Sequence, residues 1–383
     1  MDKQRRKYVL LLFLSILLTC VSSKAVLAAG QIERIYGMNR FQTSVQIAYK
    51  MNPSKVYNVV LANGNGFADA LAGVPLARQK NAPLLLVNDL PENSYDALLY
   101  VQKHLDPEGQ IYLLGGTSVI SESFIDALGR LGFDSAHIHR LAGVDRYATA
   151  VEIAKEMQHD GTEFFLVSGE DYPDALSASV AASLLGNVTA EEAQYLNNQG
   201  EVTSARLGGV PILLLPSRGE VPDSVLHYLN RLNPWLGRQA FHMVGGTAVV
   251  PDQIVQNLFS RMKYAGMLRT RYQGNNRYET SAAVNRIGFE IFYARQGKGN
   301  IIPRIYVASG TNYSDALNGA VLAAVNHAPL VLVSEVVDAS TLALLREYAE
   351  KNRANGYTQT VITVIGTVKE VSDEAVRALS EVY

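Results

Sequence analysis

Three arginines, Arg40, Arg146 and Arg277, recur in one setting, Gly-x-x-Arg-(Phe/Tyr)-x-Thr, and three aspartates, Asp69, Asp174 and Asp315, recur in another, (Phe/Tyr)-x-Asp-Ala-Leu. A guanidinium presents a planar fork of donors that suits phosphate or carboxylate. Each arginine also falls at an expected helix start, where free backbone N–H groups and partial positive charge assist anion binding. Three such sites on one chain would gain avidity along a repeating polymer, on the order of 10²–10⁴-fold where geometry allows simultaneous contact. The competing reading is structural, and it leads: Arg40 pairs with Asp69, Arg146 with Asp174 and Arg277 with Asp315, each inside its own repeat. The aspartates follow a Gly/Asn turn just inside a helix, a position better suited to capping or pairing than to acid–base catalysis.

Two further blocks repeat in the same order. Pro83, Pro211 and Pro329 each open a run of four aliphatic residues, and Gly115-Gly116, Gly245-Gly246 and the single Gly366 close a later one. From motif arginine to motif aspartate is 29, 28 and 38 residues, and from aspartate to proline 14, 37 and 14. Two insertions account for the differences, around 186–207 in the second copy and 292–302 in the third. Both are polar and glycine-containing, as exposed loops are. Four ordered blocks occurring three times establish internal repetition.

These blocks must be positioned by strands and helices, and the first copy indicates which. Phe41, Val45 and Ala48 at helical spacing predict a helix from the arginine block. A β-branched strand, Val56 to Leu61, precedes a helix opening at Asp69. The run Leu84–Val87 reads as a buried strand, and the glycines of the last block fit tight strand-to-helix turns. A helix from about Glu92 to His104, a strand Ile111 to Leu114 and a helix from about Ser121 to Leu131 complete the unit. Continuous apolar strands separated by helices predict a parallel sheet covered on both faces, hence small doubly wound α/β domains. The divisions fall at 30–135, 136–266 and 267–383.

The combination of Gly-x-x-Arg-Tyr-x-Thr, Asp-Ala-Leu, Pro-(Leu/Ile)-Leu-Leu and Gly-Gly-Thr, in that order from Ile32 to Tyr383, resembles the cell-wall-binding repeat type 2 family of Gram-positive surface proteins. The resemblance implies three Rossmann-like or flavodoxin-like domains around a pseudo-threefold axis that bind an anionic wall glycopolymer, with the Pro-Leu-Leu element involved in anchoring. Physically that element reads as a core strand that holds the domains together. The sequence departs from the pattern at Phe41, at Thr367 in place of the second glycine, and in carrying no effector domain beside the repeats.

Composition narrows the alternatives. Formal net charge is −2, and residues 1–29 hold five basic groups and one acid, so the rest stands at about −6. That field does not draw nucleic acid. Residues 1–29 read as a secretory signal, with a basic start, an apolar run from Tyr8 to Leu18 and small residues before Ala29. Cys20, the sole cysteine, leaves with it unless it is lipidated, so neither disulfides nor thiolate metal sites are expected. The seven histidines do not recur in register, and no His-Glu-x-x-His or Gly-x-Ser-x-Gly motif occurs. Gly64-Asn65-Gly66 is a near miss to a dinucleotide fingerprint that ends in an acid. No cofactor, metal, catalytic residue or membrane span beyond the signal is expected. The expected role is non-covalent retention at the cell surface. Kept open beside it are an accessory partner of a separate autolysin or surface-layer protein, and a wall hydrolase with its site in an insertion.

Overall fold

The computed structural model describes residues 31–159, 161–185, 209–233, 239–264, 268–296 and 301–383. The expected signal with Cys20, the insertion at 186–207 and residues 297–300 lie outside the described residues. The first copy comprises β1 (Gln31–Ile35), α1 (Arg40–Met51), β2 (Val56–Asn63), α2 (Ala68–Gln79), β3 (Leu84–Val87), α3 (Tyr95–His104), β4 (Leu105–Leu114) and α4 (Ser123–Arg130). The second comprises β5 (Ile138–Leu141), α5 (Arg146–Glu156), β6 (Glu163–Ser168), α6 (Pro173–Leu184), β7 (Ile212–Leu215), α7 (Asp223–Arg231), β8 (Ala240–Val244) and α8 (Asp252–Arg261). The third comprises β9 (Leu268–Tyr272), α9 (Arg277–Gln296), β10 (Arg304–Ser309), α10 (Tyr313–Val325), β11 (Leu330–Val333), α11 (Ala339–Ala354), β12 (Val361–Ile365) and α12 (Asp373–Ser380).

Local chemistry sets where the motif helices begin. Asn39 accepts the backbone N–H groups of Phe41 and Gln42, Asp145 accepts that of Ala148, and Asn276 accepts those of Tyr278 and Glu279. A side-chain oxygen before each arginine therefore supplies the cap that an exposed helix start lacks. The helices that follow the turn, α2, α6 and α10, are of another kind. From Ala68 to Ala77 nearly every residue of α2 is buried, and α6 and α10 match it. A helix that is apolar all round belongs in an interior.

Among the described residues every strand pairing is parallel, in three four-stranded sheets ordered β3-β2-β4-β5, β7-β6-β8-β9 and β11-β10-β12-β1. Each sheet thus takes its fourth strand from the start of another copy. Ile138–Leu141 runs beside Ile111–Leu114, and Leu268–Tyr272 beside Ala240–Val244. Gln31–Ile35 runs beside Val361–Ile365, which closes the chain into a ring. The sequence reading did not anticipate these closing strands.

Helices α2, α6 and α10 pack on one another about a pseudo-threefold axis. Phe67, Tyr172 and Tyr313 meet there, with ring centroids 5.4–6.1 Å apart. One cluster of buried apolar residues runs through all three copies, and two more fill the outer layers of the first and second. The third insertion, expected as a loop, is in part helix. Helix α9 has 20 residues where α1 has 12 and α5 has 11. Its Arg286 grips Glu347 of α11 through two 2.8 Å hydrogen bonds, which gives the longer helix a partner.

Candidate functional site

The repeated blocks converge at the junctions between copies. Because the aromatic residues at the starts of α2, α6 and α10 touch on the axis, the three helix N-termini and the carboxyl ends of the strands face one end of the ring. In a doubly wound sheet that end, where strand order reverses, is where ligands bind. Each junction there combines the aspartate and glycine turn of one copy with the arginine and threonine of the next, and the third copy is followed by the first.

The expected ion pairs within a repeat are not formed. Each arginine instead donates to the turn of its own copy, Arg40 to the Gly64 carbonyl (2.7 Å), Arg146 to Gly169 (2.5 Å) and Arg277 to Gly310 (2.6 Å). The acid that senses its charge belongs to the preceding copy: Asp315 for Arg40, Asp69 for Arg146, Asp174 for Arg277. The reason is geometric. The helix that starts with the arginine packs against the central helix of the preceding copy, α1 on α10, α5 on α2 and α9 on α6. Arg40 also donates to the Tyr313 hydroxyl (3.0 Å) and lies over that ring, 5.4 Å from its centroid. Arg277 lies 5.9 Å from the centroid of Tyr172.

Burial raises all three aspartates to about 6. For Asp69 the charge of Arg146 opposes that rise. For Asp174 the Thr280 hydroxyl opposes it, Asp171 adds to it, and Arg277 opposes it more weakly. For Asp315 Glu370 adds to it, while Thr43 and Arg40 oppose it. The first glycine of the Gly-Gly block is explained by the same carboxylate. Gly115, Gly245 and Gly366 adopt φ of +110°, +112° and +110°, and an added Cβ would stand 2.8–2.9 Å from an Oδ2 of Asp69, Asp174 and Asp315 respectively. At Gly116 a Cβ would meet nothing within 4 Å, and at Gly246 only Gln273 at 3.8 Å. Thr367 is therefore accommodated where the third copy lacks a second glycine.

The motif's other residues are positional. Thr43, Thr149 and Thr280 accept the N–H of Gly37, Gly143 and Gly274 at 3.0–3.1 Å, which folds the loop before the helix. The rings of Phe41, Tyr147 and Tyr278 pack on Gly64, Gly169 and Gly310, so Phe41 retains the packing without the hydroxyl. Pro83, Pro211 and Pro329 sit just ahead of β3, β7 and β11, and their carbonyls accept Val60, Phe165 and Tyr306 N–H groups at 2.8–3.0 Å. The strands they open are wholly buried, so these residues hold the core and offer no surface to a ligand. Sequence reasoning missed Arg34, Arg140 and Arg271 on the closing strands. Arg34 donates to the carbonyls of Gly366 and Val371, Arg140 to those of Gly115 and Ile120, and Arg271 to that of Gly245. Their recurrence six residues before each motif arginine was the available signal.

Between the first and second copies the junction opens into a cleft of about 660 Å³, lined by Asn63, Asn65, Phe67, Asp69, Asp89 and Arg146 among others. That size falls within the range for small-molecule and glycan-unit pockets. The chemistry on offer is hydrogen bonding to a polar ligand: carboxylates that accept, a guanidinium that donates, and an aromatic floor. Among the described residues no group of three His, Cys, Asp or Glu side chains is gathered as a metal site requires. None of the described helices is long and apolar enough to cross a membrane.

Comparison with known proteins agrees with this arrangement. The family model described as Cell wall binding domain 2 (CWB2) matches residues 34–125, 140–194 and 271–376, each segment starting at a closing-strand arginine. The chain is similar to the N-acetylmuramoyl-L-alanine amidase LytC of Bacillus subtilis (strain 168), 28% identical over 333 residues, covering 86% of this chain and 55% of the amidase. It is 24% identical over 306 residues to the amidase enhancer of the same organism, covering 79% of this chain and 35% of that protein. Among solved structures, Cwp8 from Clostridium difficile superposes with a TM-score of 0.70 at 24% identity, over 92% of this chain and 51% of Cwp8. Cwp6 from the same organism gives 0.67 at 21% identity, over 92% of this chain and 48% of its own. The chain spans about half the length of these relatives, and about a third of the enhancer.

Proposed function

Because the chain belongs to the Cell wall binding domain 2 family, with three tandem copies of the repeat, we propose that it is a non-catalytic module that retains its bearer on the cell wall by gripping a wall glycopolymer at the copy junctions. The observation that carries this reading is the placement of Arg40, Arg146 and Arg277 at equivalent junctions facing one end of the ring, each anchored through one nitrogen to a turn carbonyl. A guanidinium fixed through one nitrogen still has other donors to present. An anionic polymer passing over the ring would meet three such groups, which favours avidity over tight single-site binding. The location implied is the outer surface of the wall, reached by export through the amino-terminal segment.

Sedimentation with purified walls tests this. The chain is expected to co-sediment with polymer-bearing walls and to stay in solution once the polymer has been chemically stripped. Equal retention on stripped walls would point to peptidoglycan itself and overturn the polymer reading. A second role is favoured by the likeness to an amidase and to an amidase enhancer: the ring would bring a separate autolysin, or a surface-layer protein, to the same wall site. Co-purification of such a partner with the wall-bound chain, absent from walls lacking the chain, is the expected result.

A further inference from the structure

The three junctions share a plan but not a chemical state. At the junction of the third copy with the first, the Tyr313 hydroxyl donates to the Gly64 carbonyl (3.0 Å) and accepts from Arg40 (3.0 Å). At the junction of the second with the third, the Tyr172 hydroxyl donates to the Thr311 carbonyl (2.9 Å). The Thr43 and Thr280 hydroxyls oppose the rise that burial imposes on Asp315 and Asp174. In each case the aromatic hydroxyl ties one copy to the turn of the next, across the mouth of the junction.

The first junction has none of this. Its aromatic residue is Phe67, which has no hydroxyl to span the mouth. The Oδ1 of Asp69 is buried with no hydrogen-bond partner. Leaving a buried carboxylate oxygen unpaired costs stability, and such groups in native proteins call for a missing partner. Arg146 is exposed and donates one hydrogen bond, to Gly169. The 660 Å³ cleft lies here, and three acids (Asp69, Asp89 and Asp145) line it against the single Arg146. That excess of carboxylate disfavours a phosphate group and favours a ligand rich in hydroxyl or ammonium donors.

We propose that the cleft between the first and second copies is a sugar-recognising subsite that takes one pyranose unit of the wall polymer. The unit lies over Phe67, donates from hydroxyl or amino groups to the carboxylates that line the cleft, Asp69 among them, and accepts from Arg146. At the other two junctions the tyrosine hydroxyls bond the neighbouring turn, and the arginines there meet the acidic groups of the polymer. The subsite rests on the wall-polymer reading for the source of its ligand, but its own chemistry can be tested without the polymer.

The test titrates the full chain with methyl glycosides of N-acetylglucosamine, N-acetylmannosamine and glucosamine, and separately with inorganic phosphate, followed by calorimetry and ligand-observed NMR. At least one glycoside is expected to bind with a stoichiometry of one per chain, and phosphate at least tenfold more weakly. Phe67→Tyr installs the hydroxyl of the other copies and is expected to weaken glycoside binding about tenfold, the scale of one hydrogen bond to a charged group. Asp69→Asn is expected to do the same, and circular dichroism checks that both variants fold. Three sites per chain, phosphate binding as well as the glycosides, no glycoside binding at all, or wild-type affinity in a folded Phe67→Tyr chain would each overturn the subsite. If the glycosides fail but walls still retain the chain, the subsite alone falls. If walls do not retain the chain, the wall reading falls, whatever the glycosides do.

Discussion

Asp69, Asp174 and Asp315 place three carboxyl groups in one buried setting, each against the arginine of another copy. With folded-state values of about 6 against about 4 when unfolded, the native chain holds more protons between those limits. Stability from these groups is therefore fullest below about pH 4 and is lost as pH rises through 6, on the order of 1–3 kcal/mol per site. Denaturant titrations from pH 4 to pH 7 are expected to show a smaller loss of stability with rising pH in the triple Asp→Asn chain than in the wild type. Identical profiles would mean that the carboxylates are better solvated than their burial indicates. Gly366→Ala is a second test at this scale. Its φ of +110° and its closeness to Asp315 leave no room for a methyl group, and a loss of about 2 kcal/mol or more in unfolding free energy is expected. Gly116→Ala, where a Cβ would meet open space, is expected to cost less than about 1 kcal/mol.

Strands and helices were legible to different degrees, and the reason is range. Leu84–Val87 reads directly as a buried strand because its four residues are aliphatic and a proline precedes them. Helix α3 starts at Tyr95 and not at Glu92, because Pro91–Asn93 forms a short 3-10 turn and the Ser94 hydroxyl donates to the Leu90 carbonyl. The closing strands were not legible. Gln31–Ile35 is short and half polar, and its partner Val361–Ile365 lies 330 residues away. For the same reason the sequence could not assign each arginine its acid. Repetition puts an equivalent aspartate in every copy, and only the packing of α1, α5 and α9 on the neighbouring central helix chooses among them. Arg34 concentrates this closure, since it bonds Gly366, Val371 and Asp373 from the opposite end of the chain. Arg34→Met is expected to speed amide exchange in β12 at least tenfold while leaving β4 and β8 unchanged. Uniform exchange across all three sheets would show that the ring does not depend on this latch.

For the molecule as a whole, the shared core around α2, α6 and α10 argues that the copies do not fold as independent beads. Leu176 on α6 is fully buried in the cluster that runs through all three copies. Leu176→Ala is expected to cost about 2–5 kcal/mol and to lower a single calorimetric transition as a unit. Splitting into separate transitions would contradict a common core. The same ring turns its three junctions to one end, and wall retention is attributed to the arginines there. The most direct measurement is wall retention of the Arg40→Gln, Arg146→Gln, Arg277→Gln triple variant beside the wild-type chain, with thermal unfolding followed in parallel. The expected result is a folded triple variant that no longer sediments with polymer-bearing walls; a folded triple variant retained as well as the wild type would contradict the account.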